Sequence, residues 1–113
     1  MIKYRYTDYV RHCLRFYARY NNPNYYSEED KIDWKACDDA FKTLSDNDKT
    51  IAFAVYGNRD TLADNVYEYC TKNDIEQSVI MDLMCKIEFM VAKQRGLSTG
   101  AKLRQYPKGI KET

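Results

Sequence analysis

The stretch Thr61-Leu62-Ala63-Asp64-Asn65-Val66-Tyr67-Glu68-Tyr69-Cys70-Thr71-Lys72-Asn73-Asp74-Ile75-Glu76-Gln77-Ser78-Val79-Ile80 decides how this chain folds. Leu62, Val66, Tyr69 and Cys70 recur at steps of three and four, which draws one apolar face on a helix, and Thr61 is a capping residue in front of them. Thr71-Lys72-Asn73-Asp74 reads as a turn of three to four residues. Beyond it Ile75, Val79, Ile80, Leu83, Met84, Ile87, Met90 and Val91 keep the helical period, with Asp74 as the cap and Gln77 in position to bond back. Gly96 closes this run. The spacing predicts helices over about 62–72 and 75–95, joined by a tight turn.

The same reasoning extends upstream. Ser45-Asp46-Asn47-Asp48 is a capping signal for a short helix over 46–56, and Gly57 suits a left-handed exit from it. Ser27-Glu28-Glu29-Asp30 caps a helix over 28–44 whose apolar positions are Ile32, Ala36, Cys37, Ala40, Phe41 and Leu44, with Trp34 off that stripe. A first helix over 4–20 aligns Tyr6, Val10, Cys13, Leu14 and Tyr17. Asn21-Asn22-Pro23-Asn24 ends it, because proline lacks the N–H donor and disfavours helix in the residue before it. After Leu97 periodicity fades, and Ser98-Thr99-Gly100, Pro107 and Gly109 describe an extended or flexible tail. The expected fold is all-α: a small helical bundle of about five helices with a helix-turn-helix-like core, forming a single domain over 1–97, followed by a flexible basic C-terminal tail over 98–113.

A length of 113 residues bounds the chain to one domain, and 44% hydrophobic with 31% charged residues is enough to bury a core. The formal net charge of +1 conceals a segregation. Net charge is +4 over residues 1–20, −4 over 21–50, −4 over 51–90 and +5 over 91–113. Surface potential is set locally, within about 8–10 Å, so basic ends and an acidic middle constrain partners more than the total does.

Several function classes are disfavoured. The N-terminus is charged from Lys3 and lacks a signal-peptide apolar core, and no apolar run approaches the roughly 20 residues of a membrane span, so a soluble, cytoplasmic protein without membrane contact is expected. Cys13, Cys37, Cys70 and Cys85 are far apart, with no CxxC pair and one histidine, and read as reduced, buried thiols. No metal and no cofactor are expected. His12 and Cys13 are adjacent and diverge by about 100° on a helix, so they form no nucleophile and base pair, and no phosphate loop, GxSxG or HExxH motif occurs. A chain without catalytic activity is expected.

Between Leu44 and Gly96 the order of elements is short helix, loop, helix, tight turn, longer helix. With Leu44-Ser45, Asp48-Lys49, Ile51, Tyr56, Ile75, Val79 and the closing Ala92-Lys93-Gln94-Arg95-Gly96-Leu97, this segment resembles region four of bacterial sigma factors and the sigma-like small regulators of Firmicutes and their phages. The resemblance covers roughly half the chain. It implies a helix-turn-helix whose second helix enters the DNA major groove, a role in transcription regulation, and a phage or mobile-element origin. Asp64-Asn65-Val66 departs from the Glu-Ile-Ala usual on the first helix of the motif. The outward positions of the second helix are taken as Glu76, Gln77, Asp82, Lys86 and Glu88, three of which repel phosphate.

Candidate nucleic-acid contacts are therefore Gln77, Ser78 and Lys86 on that helix, Lys93 and Arg95 at its end, Lys102 and Arg104 in the tail, and Arg11, Arg15 and Arg19 on the first helix. The last three recur at four-residue steps. Like charges at that spacing disfavour an isolated helix, so something negative should face them: Asp33, Asp38 and Asp39 of the chain itself, or phosphate. Phe16, Tyr17, Arg19 and Tyr20 interleave cations with rings that serve either a core or stacked bases. The partner expected is DNA or RNA, and a homodimer would imply a palindromic site. The alternative is a small phage-type interaction module whose middle, net −8 over 21–90, meets a basic host protein such as RNA polymerase or a nucleic-acid enzyme, as an anti-CRISPR-like inhibitor or DNA mimic would.

Overall fold

The computed structural model describes residues 3–20, 27–97, 99 and 102–103. Five helices carry the fold: α1 (Thr7–Arg19), α2 (Glu28–Phe41), α3 (Asp46–Gly57), α4 (Leu62–Asn73) and α5 (Gln77–Arg95). Three of them start where an oxygen-bearing side chain takes an orphan amide. Ser27 accepts from the Asp30 N–H at 3.2 Å, Ser45 from the Asp48 N–H at 3.1 Å and Thr61 from the Asp64 N–H at 3.2 Å.

α5 is the longest element and packs mainly against α2; α1 crosses α3 and also touches α2 and α5, while α4 is held by α3 and α5. One core results. Val10 and Leu14 of α1 meet Ala36, Cys37, Ala40 and Phe41 of α2, Val55 and Tyr56 of α3, Val66 of α4, and Ile80, Met84, Ile87 and Val91 of α5, all buried. The small residues of α2 set its close approach to α5. Tyr17 is half-buried and stands between Trp34, Phe41 and Phe53, with ring centroids 5.2, 4.8 and 6.2 Å away.

The boundaries differ from expectation for local reasons. α1 begins at Thr7, not residue 4, because the Thr7 hydroxyl accepts the Tyr4 N–H at 2.9 Å and Lys3–Tyr4 is a short strand, β1. β1 pairs antiparallel with β2 (Lys102–Leu103), Lys3 opposite Leu103, so this piece of the tail returns to the first residues of the chain. α2 stops at Phe41, and Thr43 and Leu44 follow in a tighter turn with N–H bonds three residues back. Gly57 is still helical, and the exit is made by extended Asn58 rather than by a left-handed glycine. Gly96 does take the left-handed conformation, at φ 80°.

Thr71–Asn73 belongs to α4, so the turn before α5 is Asp74-Ile75-Glu76. Asp74 is not the cap of α5. It is left-handed at φ 53°, ψ 52°, and both its N–H and that of Ile75 bond to the Cys70 carbonyl, ending α4. Two expected core residues lie outside: Ile32 and Val79 are 48% and 54% exposed. Val79 is one residue, about 100°, from the buried row Ile80, Met84, Ile87, Val91. Ile32 is on the first turns of α2, which are held by polar contacts to α1 and α5 through Asp33 rather than by apolar burial. Asn21 to Tyr26, Arg104, Tyr106, Lys108 and Lys111 lie outside the described residues. Among the described residues, no helix is long and apolar enough to cross a membrane.

Candidate nucleic-acid interface

The α4–turn–α5 unit sets the candidate surface. A left-handed residue after α4 reverses the chain within three residues; Asp tolerates that conformation better than most L-residues, since its short polar side chain bonds locally. Ile75 tucks partly into the core beside this bend. α5 then leaves with Gln77 and Ser78 exposed at its first turn. Ser78, Asp82, Lys86, Phe89 and Lys93 follow one another at steps of four, four, three and four, all exposed, and make one outward row. Ser78, Lys86 and Lys93 thus share one helix surface, while Gln77 lies half a turn from Lys86, on the side facing Leu62 and Val66 of α4.

Charge on the exposed residues of the α4–turn–α5 unit is mixed. Asp64 and Glu68 on α4, Asp74 and Glu76 in the turn, and Asp82 on α5 are exposed as well. Glu88, expected to point outward, is instead buried at 3% exposure. Its position four residues after Met84 and four before Ala92 places it on the apolar row, and that spacing was the available signal.

Glu88 is what Arg11 faces. The Arg11 Nε donates to Glu88 Oε2 at 3.0 Å, and the Tyr56 hydroxyl donates to the same oxygen at 2.6 Å. Burial raises the Glu88 carboxyl above its ordinary value, opposed by the bonds from Tyr56 and Arg11, and burial beside this carboxylate pushes the Tyr56 phenol well up. Within the arginine row of α1, Arg11 is therefore paired with Glu88 of α5, while Arg15 and Arg19 meet neutral carbonyls. Arg15 donates to the carbonyls of Asn58 and Asp60 at 3.0 and 2.7 Å, and Arg19 to that of Asn58 at 3.2 Å. Burial, and the neighbouring Arg19 charge, lower the Arg15 pKa.

The acids of α2 have other partners. Asp33 receives the Arg95 Nε at 2.5 Å and the Tyr9 hydroxyl at 2.7 Å, and Glu29 lies 3.6 Å from the same guanidinium. That pairing raises the Arg95 pKa and ties the end of α5 to α1 and α2. Asp38 takes the Tyr17 hydroxyl at 2.8 Å and Lys42 at 3.1 Å, and Asp39 takes Lys35 at 3.2 Å. Arg11 and Arg95, both expected at phosphate, are thus occupied by carboxylates. Lys102 lies in β2, and Arg104 falls outside the described residues.

Asn65 departs from the sigma pattern. It is buried, and its Nδ2 lies 2.8, 3.1 and 3.2 Å from the carbonyls of Val55, Asn58 and Asp60, clamping the end of α3 to α4. The cysteines are free thiols: Cys13, Cys37 and Cys70 are buried and Cys85 is half-buried. Among the described residues no group of His, Cys, Asp and Glu is arranged to hold a metal ion. No protein-family model, curated protein or solved structure matches the chain.

Proposed function

We propose that the chain is a nucleic-acid-binding regulator of helix-turn-helix type, related in plan to sigma region four, that lays α5 against duplex DNA. The observation that carries this reading is the three-residue turn with left-handed Asp74, which leaves Ser78, Lys86 and Lys93 together on the exposed surface of the second helix and Gln77 exposed at its start. Gln77 and Ser78 are suited to base edges or backbone near the helix start. Lys86 and Lys93 supply phosphate contacts. Arg11 and Arg95 are left out of the contact set, because moving either to phosphate breaks a pair with a carboxylate.

A second reading rests on the acids of the same surface. Asp64, Glu68, Asp74, Glu76 and Asp82 are exposed along α4, the turn and α5, with Asp64 and Glu68 beside Tyr67, itself 63% exposed. Such a face suits a basic protein partner, as a nucleic-acid mimic would.

The test is titration of a labelled duplex at about 50 and 200 mM salt with the intact chain and with Lys86→Ala/Lys93→Ala. The duplex reading expects binding that weakens with salt and a salt slope reduced by about one unit for each lysine removed. A duplex that does not bind at the lower salt refutes it and leaves the acidic-face reading. Light scattering gives the oligomeric state; a dimer directs the search to palindromic duplexes.

A further inference from the structure

The five arginines of the helical body fall into two kinds. Arg11 and Arg95 are paired with carboxylates. Arg15, Arg19 and Arg59 have no carboxylate within ion-pair distance among the described residues. Among the described residues Arg15 and Arg19 bond to neutral carbonyls just beyond the end of α3, and the Asn58 carbonyl already receives Arg15, Arg19 and the Asn65 amide. Neutral acceptors orient a guanidinium without cancelling its charge. Each guanidinium has five N–H donors, so most of those on Arg19 and all of those on Arg59 remain to be used.

Arg19 and Arg59 border a cleft. It measures about 650 Å³ and is lined by Arg19 and Tyr20 from the end of α1, by Phe53, Gly57 and Asn58 from α3, and by Arg59 from the following loop. That volume lies in the range of small-molecule sites. Two aromatic faces stand beside the guanidiniums. Tyr20 is 54% exposed and rests on Phe16, ring centroids 5.0 Å apart; Phe53 is 39% exposed and is backed by Tyr17 and by Phe41, the latter at 5.1 Å. Phe53 is thus fixed on its inner side and open on the other. Gly57 adds no side chain to the floor, where a Cβ would lie in ordinary contact with the Ala18 carbonyl at 3.4 Å.

We infer that this cleft is a binding site for an unpaired nucleotide of a single strand, with its phosphate held by Arg19 and Arg59 and its base stacked on Tyr20 or Phe53. Uncancelled guanidiniums supply the attraction to phosphate, and open rings supply a sequence-tolerant platform for the base. An acidic peptide would use the cations and leave the rings idle. Asp60 borders the loop with an exposed carboxylate that pairs with none of these arginines, and it favours a ligand whose charge is placed on the Arg19–Arg59 side. This site stands apart from the duplex reading of α5 and uses none of its residues.

The test is fluorescence anisotropy with an oligothymidylate of about eight nucleotides, at low salt, on the full chain. Arg59→Ala and Tyr20→Ala change exposed side chains, and circular dichroism checks that both fold. Each should weaken the strand about tenfold or more, Arg59→Lys should restore part of the loss, and inorganic phosphate should compete only at far higher concentration. Lys86→Ala/Lys93→Ala should leave strand binding unchanged while it lowers duplex binding, which separates failure of one site from failure of the other. Absence of strand binding to the wild-type chain, equal binding by wild type and both alanine variants, or displacement by an acidic peptide as readily as by unlabelled strand would each overturn the assignment.

Discussion

Replacing Arg11 tests whether the α1 arginine row holds the fold or meets phosphate. The Arg11 side chain is 20% exposed and the Glu88 side chain 4%, and their 3.0 Å contact shares an oxygen with the 2.6 Å bond from the buried Tyr56 hydroxyl. Arg11→Met leaves a carboxylate in the core with one neutral donor. Removing one partner of a buried pair costs about 3–5 kcal/mol, and the partial exposure of Arg11 places this case near 3. Glu88→Leu removes the buried charge but orphans the Tyr56 hydroxyl, at about 1–3 kcal/mol, and leaves Arg11 to turn toward solvent. The double variant contains no unpaired charge. Its cost should be that of the hydroxyl alone, about 1–2 kcal/mol, and adding Tyr56→Phe should recover most of it.

Urea unfolding followed by the single tryptophan, Trp34, whose ring packs tilted against Tyr17, reads these differences. With a slope of about 1–3 kcal/mol per molar urea, Arg11→Met should lower the midpoint by about 1–3 M, and Arg11→Met/Glu88→Leu should unfold later than Arg11→Met alone. The signature is non-additivity of at least about 2 kcal/mol, within the range found for residues in direct contact. Additive losses would refute the ion-pair account. An unchanged midpoint together with a large loss of duplex binding would show Arg11 to be a phosphate ligand and the pairing with Glu88 to be incidental.

Stability should also respond to pH through two carboxyls of opposite sign. Glu88 is raised by burial, so its contribution is present below its ordinary value of 4.5 and is lost as pH rises through its folded value; Asp38, where burial is outweighed by the bonds from Tyr17 and Lys42, is lowered, so its contribution is present above 3.8 and is lost as pH falls through its folded value. Melting curves of Glu88→Gln and Asp38→Asn across the acid range should each lose one of these slopes, and a slope common to both variants and wild type would contradict the assignment. Burial first, then Asp33, pushes the Cys13 thiol up to about 12 and burial raises Cys37 further, so maleimide at neutral pH should label Cys85 first and the other three cysteines only on unfolding; native labelling of Cys13 or Cys37 at the rate of Cys85, seen by mass spectrometry, would contradict the packing. Asp74→Gly should raise the melting temperature, because an L-residue in the left-handed conformation costs about 1 kcal/mol relative to glycine, less for Asp than for most; a fall would mean that the Asp74 side chain holds the turn.

The helices were legible because period and caps are local properties. Ser27, Ser45 and Thr61 fix three starts through bonds to amides three residues on, and Gly96 fixes an end through its own dihedral. What the sequence did not show are matters of pairing between distant elements. A row of arginines announces that negative partners exist, yet nothing in its spacing distinguishes a carboxylate 77 residues away from the acids of the next helix. Glu88 could have been found, since a carboxylate on an apolar row must meet a donor, and the inward-facing Arg11 is of the right charge. Asn65 could be suspected on the same ground, being adjacent to Val66 on the buried side of α4. The Arg19–Arg59 cleft had no such signal, because it combines the end of one helix with a loop 40 residues later and its character comes from an absence of carboxylates that only three dimensions reveal. Charge segregation along the chain therefore does not say which cations are paired and which are left exposed. In the basic N-terminal helix Glu88 pairs Arg11 while Arg19 meets a neutral carbonyl and keeps its charge, and an acidic stretch carries Arg59, the other cation left to meet a phosphate.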